Sequence, residues 1–250
     1  TDSCYEVIKP MFPALTKVQN VMETMLNNGN IVSHAPIMVL NAGRIGPDNT
    51  TYLHYKDGIN PEVSYVLDAI NDECMQLCRA FGLKETTNAD RHFITGYTHA
   101  LGKASYESYH SSYSFMLAKG PTTLNYRYLT EDAPYSMVPL SSLAAQLGLK
   151  TPLMDAVANL GGALMQTNYW ETGRTVEDLG LAGMTLEEKV AQMQHIHAKH
   201  YDMDGKADLQ KLAKSTGGLS RGCMEAFPYS LQQYVNAVYD IQKYLIEETR

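Results

Sequence analysis

A long helix with clear start and end signals is the most constraining pattern in the chain. Asn60, Pro61 and Glu62 supply a capping side chain, a first-turn proline and a first-turn acid, which are features that begin helices. Apolar residues then recur at intervals of three and four, at Val63, Val66, Leu67, Ile70, Cys74, Leu77, Cys78 and Phe81. Gly82 follows the last of them, where a left-handed residue commonly ends a helix. The pattern predicts a helix over 61–81 with one buried face.

Helical patterns recur along the rest of the sequence, and the strict alternation typical of half-buried strands is nearly absent. Further helices are predicted to begin at Pro13, Asn88, Ser105, Pro139, Pro152 and Thr185, and a last amphipathic helix covers 231–246. We therefore predict an all-α fold of eight to ten helices. A polar stretch at 202–222 is predicted to link the terminal helix to the main body, giving a helical domain over 1–200 and a linker with a packed terminal helix over 201–250.

Composition limits the class of protein. The chain has 250 residues, an apolar fraction of 44% and a formal charge of −7, so a sizeable core is available and a nucleic-acid-binding surface is not expected. No run approaches the roughly 18 consecutive apolar residues of a membrane span. Cys74 and Cys78 lie four residues apart in the predicted helix and are interpreted as buried thiols, because a disulfide framework is typical of small secreted proteins. These observations favour a cytoplasmic protein.

The potential metal ligands do not form a convincing metal site. Three histidines near one predicted helix end lack a carboxylate partner and are interpreted as solvent-exposed, at His195, His197 and His200, because a bound zinc ion needs three or four ligands and a supporting shell. Acidic residues at 202–208 resemble part of a calcium loop but lack its glycine and its final glutamate. Four scattered histidines are interpreted as surface or hydrogen-bonded helix positions, at His54, His92, His99 and His110. The sequence predicts no metal site.

Two separated stretches carry candidate chemistry. In HAPIMVLNAGRIG, residues 34–46, His34 stands directly before an apolar run. In RYLTED, residues 127–132, Arg127 precedes Asp132 by five positions. A guanidinium at this spacing offers a fork for a substrate carboxylate and an anchor for a base. The alternative is a local salt-bridge network at a helix end, and the spacing alone leaves both interpretations open.

The same stretches carry a resemblance to a known family. The segments FPALTKVQNVMETMLNNGNIVSHAPIMVLNAGRI, YRYLTEDAPYSMVPLSSLAAQLGLKTPLMDAV and YWETGRTVEDLGLAGMTLEE resemble, in order and spacing, the C-terminal helical domain of the octopine/nopaline (opine) dehydrogenases. The resemblance covers roughly residues 8–192 and is most specific in the first two segments. It implies an all-α domain similar to the C-terminal domain of 6-phosphogluconate dehydrogenase.

The resemblance also implies roles for individual residues. The catalytic histidine of the family falls on His34, its carboxylate partner on Asp132, and its substrate-binding arginine on Arg127. We therefore expect His34 and Asp132 to form a hydrogen bond, with Arg127 lining the same cleft. One position departs from the family pattern, since Ala35 stands where a proline often follows the histidine, and Pro36 comes next.

The family joins an amino acid to a 2-oxo acid and reduces the imine with NADH or NADPH held by an N-terminal Rossmann domain. This chain contains no G-x-G-x-x-G after a strand, because Gly217, Gly218 and Gly222 lack that spacing and context. The chain also begins without Met, so we expect a domain cut from a longer protein, inactive alone and with no cofactor bound. The alternatives are a related 2-oxo or 3-hydroxy acid dehydrogenase domain and a non-catalytic helical dimerisation module.

The sequence leaves self-association open. Met154, Val157 and Leu160, with the Gly161-Gly162 pair, are predicted to take part in a close helix packing, because glycines inside a helix commonly mark the close approach of another backbone. The terminal helix over 230–247 also carries a full apolar stripe with several tyrosines. We expect that stripe to be buried within one chain, whereas an exposed stripe would indicate a homodimer contact.

Overall fold

The structure is a computed structural model. It describes residues 2–186 except 14, 19, 100, 101 and 103, together with residue 189 and two short strands near the C-terminus. The chain divides into two compact units, residues 25–182 in one and residues 1–24 with 183–250 in the other. The candidate site belongs to the first unit.

Helices dominate the described part of the chain. They are α1 Asp2–Ile8, α2 Val21–Leu26, α3 Asn30–Leu40, α4 Pro61–Ala80, α5 Asn88–Ile94, α6 Ser105–Ser111, α7 Tyr113–Met116, α8 Arg127–Thr130, α9 Val138–Gln146, α10 Pro152–Leu164 and α11 Tyr169–Thr172. A 3₁₀ turn covers Ala42–Arg44 and a π-helical turn covers Ala133–Met137. The strands β1 His195–Ile196 and β2 Cys223–Met224 pair in parallel. The fold class is all-α, as predicted.

Helix α4 confirms the helix predicted over 61–81. The Asn60 side chain accepts a hydrogen bond from the Val63 backbone N–H at 2.8 Å, so the predicted cap is formed. At the other end Gly82 has a φ of +63°, and the Leu83 N–H donates to the Cys78 carbonyl at 2.8 Å. This left-handed residue turns the chain out of the helix. The apolar face of α4 is buried at Leu67, Ile70, Cys74, Leu77 and Cys78.

Helix α3 is the central element of this unit and packs against α4, α8 and α10. Its apolar residues Ile31, Val32, Ala35, Ile37 and Met38 are buried in the core. The helix continues through Pro36, whose missing N–H removes one intrahelical hydrogen bond.

The end of α3 is tied to a neighbouring loop. The Asn41 side-chain amide donates to the carbonyls of Ile37, at 3.0 Å, and Gly58, at 2.9 Å. The first bond closes the last turn of the helix, and the second holds the loop that follows His54. The Asn41 side chain therefore connects the helix that carries His34 with the loop that follows His54.

A π-helical turn separates α8 from α9. The Val138 N–H donates to the carbonyl of Ala133, five residues earlier, which is the π-helical pattern. Pro134 and Pro139 flank this bond and lack an N–H of their own, so ordinary helical bonding is interrupted on both sides. The turn continues directly from Asp132 and leads into α9.

Helix α10 confirms the expected close approach at the glycine pair. A Cβ on Gly162 would lie 2.7 Å from the Thr167 carbonyl oxygen, and one on Gly161 would lie 2.8 Å from the Leu129 side chain. Any larger residue would therefore displace its neighbours. Of the three apolar residues predicted to pack closely beside this pair, Met154 and Val157 are buried, whereas Leu160 is exposed.

The buried carboxylate of Glu73 joins α10 to α4. Its two oxygens accept hydrogen bonds from the Leu153 and Met154 backbone N–H groups, at 2.8 and 2.9 Å. These donors belong to the first turn of α10, where backbone N–H groups have no partner within the helix. The partial positive charge at a helix N-terminus also favours an acid there.

Several sequence predictions were wrong in detail. The helix predicted from Pro13 begins only at Val21, because the Asn20 side chain caps it by accepting from the Glu23 N–H at 3.0 Å. The helix predicted from Asn88 to Leu101 is capped by Thr87 and ends at Ile94.

The described residues contain eleven α-helices, more than the eight to ten predicted, because several are single turns. His195 lies in β1 and not at a helix end, since its backbone pairs with β2. His197, His200, residues 202–222, the helix over 231–246 and most of the helix predicted from Thr185 lie outside the described residues. The division into 1–200 and 201–250 stays a prediction. Within the described part of the chain, none of the helices combines the length and apolar character needed to cross a membrane.

Candidate active site

A histidine and an aspartate from distant parts of the sequence form the centre of the candidate site. His34 lies in the second turn of α3, and Asp132 follows α8 directly before the π-helical turn. The Nδ1 atom of His34 lies 2.9 Å from Oδ2 of Asp132. Both residues are buried, with exposed fractions of 6% and 8%. The hydrogen bond expected between these two residues is present.

This bond has consequences for the imidazole. An ionised carboxylate only accepts hydrogen bonds, so Nδ1 is the nitrogen that carries the proton toward Asp132. The other ring nitrogen, Nε2, is then left to exchange a proton with a bound molecule. Burial of both partners strengthens their attraction, because little water screens it. The arrangement is that of a histidine acid–base held in one tautomer by a carboxylate.

An aromatic ring covers one face of the imidazole. The Tyr128 ring stacks on His34 with 3.7 Å between ring centroids and 18° between ring planes. Tyr128 and Asp132 are four residues apart in a helical segment, a spacing that places two side chains on the same face. Sequence reasoning did not select Tyr128, although this spacing within RYLTED was the available signal.

A second histidine lies behind this pair. His54 is fully buried, with its ring centroid 4.8 Å from that of Tyr128 and 6.3 Å from that of His34. Neither of its ring nitrogens forms a well-aligned hydrogen bond. Burial, with a smaller contribution from the nearby charge on His34, lowers the pKa of His54 to about 3, and the Ser33 backbone offsets only part of this effect. His54 is therefore neutral at pH 7.

The surroundings of His54 correct its interpretation as a surface or hydrogen-bonded helix position. Its loop is drawn into the core by Asn41 and lies beside Tyr52 and Tyr55. By contrast, His92 is a hydrogen-bonded helix position as predicted, since its Nδ1 lies 2.8 Å from the Ser108 hydroxyl oxygen. Burial, helped by the neighbouring Arg91 charge, lowers the pKa of His92 to about 4.

Arg127 lies at the edge of the site with its guanidinium exposed. Its Nε donates to Oε2 of Glu131 at 3.2 Å, four residues along the same segment. This is the local salt bridge that the sequence left open as an alternative. The Glu131 carboxylate raises the pKa of Arg127, and the Asp132 charge adds a smaller contribution. The guanidinium therefore lies on the solvent side of the segment whose other face carries Tyr128 and Asp132.

The comparisons with known proteins point to one family. Residues 17–165, more than half of the chain, match the family described as NAD/NADP octopine/nopaline dehydrogenase, alpha-helical domain. An opine dehydrogenase from Arthrobacter sp. (strain 1C) is 33% identical over 183 residues, which are 72% of this chain and 49% of that protein. A vitopine synthase from Allorhizobium ampelinum is 24% identical over 180 residues, 69% of this chain and 48% of that protein.

A third relative, the protein ocs of Agrobacterium vitis, is 26% identical over 129 residues, covering 52% of this chain and 35% of that protein. The chain thus spans about half the length, or less, of the curated relatives it matches. The match at 17–165 contains the whole His34–Asp132 pair and the helices that hold it. The chain therefore belongs to the octopine/nopaline dehydrogenase family of oxidoreductases, and residues 17–165 correspond to the family's α-helical domain.

Proposed function

We propose that this domain is the substrate-binding and catalytic half of an NAD(P)H-dependent opine dehydrogenase, which condenses an amino acid with a 2-oxo acid and reduces the product. The observation that carries the proposal is the buried hydrogen bond of 2.9 Å between His34 Nδ1 and Asp132 Oδ2. This bond holds His34 in the tautomer and orientation of a general acid, which such a reduction needs. Membership of the family provides the reaction class.

His34 acts as the general acid in this proposal. Condensation of an amine with a 2-oxo acid releases water and forms a C=N bond. Reduction at its carbon leaves an electron pair on the nitrogen, and the proton on Nε2 of His34 is transferred there to complete the secondary amine. Asp132 stabilises the imidazolium beforehand and holds Nδ1–H during the transfer.

Arg127 is proposed to bind a substrate carboxylate. Its guanidinium is exposed, so it can exchange its bond to Glu131 for a bidentate bond to a ligand. A surface ion pair of this kind stabilises a protein by only about 0–1 kcal/mol, so the exchange costs little. Fixing one carboxylate of the substrate would orient its reacting carbon toward the His34 end of the site.

The nicotinamide cofactor is assigned to an N-terminal nucleotide-binding domain of the full-length protein. A phosphate cradle needs a glycine-rich turn between a strand and a helix, and the described glycines occupy other settings. Gly82 and Gly148 follow helix ends with positive φ, whereas Gly58 and Gly161 contact buried side chains. The described residues therefore form no binding loop for the phosphate groups of a nicotinamide cofactor. We propose that this chain is inactive and binds no cofactor when alone.

A related dehydrogenase of 2-oxo or 3-hydroxy acids is the second candidate, because the same histidine acid could protonate the oxygen of a reduced C=O bond. The full-length protein should be incubated with NADH or NADPH, a 2-oxo acid such as pyruvate, and a panel of amino acids. We expect cofactor oxidation that requires the amino acid and a product whose mass equals the amine adduct. Oxidation without the amino acid would favour the second candidate, and no oxidation with any pair would contradict both.

Isothermal titration calorimetry tests the assignment of the cofactor. We expect NADH and NADPH to bind the full-length protein and to give no heat of binding with these 250 residues alone. Tight binding to the isolated chain would contradict the proposed division of labour.

A further inference from the structure

The Tyr128 ring is the closest aromatic neighbour of His34 among the ring contacts of the described residues. Its centroid lies 3.7 Å from the imidazole centroid, and the planes differ by 18°. This is face-to-face contact and not the edge contact that His34 makes with His54, at 6.3 Å and 70°. One face of the imidazole is therefore covered by an electron-rich phenol ring, while Asp132 occupies the Nδ1 edge.

Tyr128 is itself held in place by other rings. Tyr126 packs edge-on against it at 4.9 Å, and His54 lies 4.8 Å away on a tilted plane. Burial raises the pKa of Tyr128, with a smaller rise from Tyr126, and the charge of Arg127 and a hydrogen bond with the Tyr55 side chain oppose this rise. Because Tyr55 stacks on Tyr109 with 10° between planes, the support continues into the core. The stacked ring is thus fixed on several sides.

Two physical effects follow for His34. A hydrogen bond at Nδ1 alone leaves the imidazole free to rock about that bond, and a flat ring 3.7 Å away limits this motion. The face of a phenol ring also attracts cations, so it favours the imidazolium over the neutral ring. His54 adds no competing positive charge, since it stays neutral above about pH 3.

We infer that Tyr128 is a positioning residue that holds the His34 imidazole in plane and stabilises its protonated form for proton transfer from Nε2. This role rests on the proposed function of His34. Tyr128 need not contact substrate, because it acts through the ring it covers. The aromatic face carries the effect, and the hydroxyl group contributes little to it.

Substitutions at position 128 separate the ring from the hydroxyl. Tyr128→Phe keeps the aromatic face, whereas Tyr128→Leu and Tyr128→Met remove it at similar size. Tyr113→Leu is the matched control, since Tyr113 is 81% exposed in α7. In the full-length enzyme we expect the Leu and Met variants to lose turnover about tenfold or more, with KM changed far less. Tyr128→Phe should retain most of the turnover that the Leu and Met variants lose, because it keeps the ring, and Tyr113→Leu should match wild type.

Histidine NMR of the same variants gives a readout independent of activity. The His34 ring protons, assigned by comparison with His34→Asn, should show an upfield ring-current shift in wild type and Tyr128→Phe that is absent in the Leu and Met variants.

The outcomes separate this inference from the proposed function. An inactive wild-type enzyme with the expected NMR shifts would contradict the proposed function and leave the stack established. Loss of turnover in Tyr128→Phe to the same degree as in Tyr128→Leu would overturn the inference, because the hydroxyl would then be responsible. Unchanged His34 ring-proton resonances and unchanged turnover in folded Leu and Met variants would overturn it as well.

Discussion

The Nδ1 atom of His34 and the Oδ2 atom of Asp132 lie 2.9 Å apart although 98 residues separate them in the sequence. The bond forms because α3 packs against both α8 and the π-helical turn. Most of the energy that brings the two residues together therefore comes from burial of the α3 apolar residues, since a single hydrogen bond adds only about 1–3 kcal/mol. The bond itself fixes the tautomer and the orientation of the imidazole.

Replacing the acid should reduce catalysis and leave the fold intact. His34→Asn is similar in size and keeps an amide that can donate to Asp132, so the packing of α3 should change little. General acid catalysis is typically worth about 10²- to 10⁴-fold, and we expect turnover of the full-length enzyme to fall by this order. Steady-state kinetics measures the loss, and circular dichroism checks the fold. Turnover within a factor of three of wild type would show that His34 is not the acid.

Asp132→Asn should act in the same direction but more mildly. The amide keeps the shape of the carboxylate yet removes the charge that stabilises the imidazolium, and it can flip to present its NH₂ group to Nδ1. We expect a smaller fall in turnover than for His34→Asn, with the double variant no worse than His34→Asn alone because the two residues act as a unit. Multiplicative losses in the double variant would contradict this coupling.

Arg127→Lys should act mainly on substrate affinity. An ammonium group cannot reproduce the two parallel bonds of a guanidinium to a carboxylate, so the apparent KM for one substrate should rise about tenfold or more with turnover less affected. Arg79→Lys is the matched control, because Arg79 also forms an exposed ion pair, with Glu85. Equal effects of the two substitutions on KM would mean that Arg127 makes only its surface salt bridge with Glu131.

The two buried histidines predict how stability depends on pH. The pKa values of His54 and His92 are lowered to about 3 and about 4 in the folded state, from 6.5. Below pH 6.5 the unfolded chain therefore binds protons that the folded chain does not. Unfolding becomes easier as the pH falls, by about 1.4 kcal/mol per pH unit for each histidine.

Urea unfolding between pH 7 and pH 4.5 measures this slope. His92→Asn keeps a polar δ atom facing the Ser108 hydroxyl but cannot titrate. The unfolding free energy of this variant should therefore depend less steeply on pH, by about 1.4 kcal/mol per pH unit, which corresponds to one proton fewer taken up on unfolding. A slope identical to wild type in the folded variant would show that His92 is already protonated in the folded state.

Two glycine substitutions test the packing around the loop that carries His54. A Cβ on Gly58 would lie 2.2 Å from the His54 carbonyl oxygen and 2.4 Å from the Tyr52 hydroxyl. Gly58→Ala should therefore lower the free energy of unfolding by about 1–3 kcal/mol. Gly43→Ala meets open space and should stay within about 0.5 kcal/mol of wild type. Chemical denaturation compares the two, and equal effects would mean that the loop relaxes without cost.

The sequence alone determined the elements whose signals are local. The helix α4 was predicted to within a residue at each end, because Asn60 and Gly82 act on their immediate neighbours. The glycine pair in α10 likewise predicted that another part of the chain packs closely against this helix. Glycine inside a helix is unfavourable, so its presence indicates that a neighbour needs the space. The candidate residues His34, Asp132 and Arg127 were selected through their resemblance to a family, and the spacing within RYLTED did not distinguish a substrate clamp from a salt bridge.

Tertiary structure decided which side chains surround the imidazole. Tyr128 is one of 17 tyrosines in the chain, and nothing in its local sequence shows that α8 meets α3 with the two rings parallel. His54 was interpreted as a surface or hydrogen-bonded helix position, and burial of an imidazole without a well-formed hydrogen bond costs free energy. The loop is nevertheless drawn inward by the Asn41 side chain and the surrounding rings. Contacts between residues far apart in sequence outweigh local preferences at these positions, because the free energy of packing depends on neighbours that only the folded chain brings together.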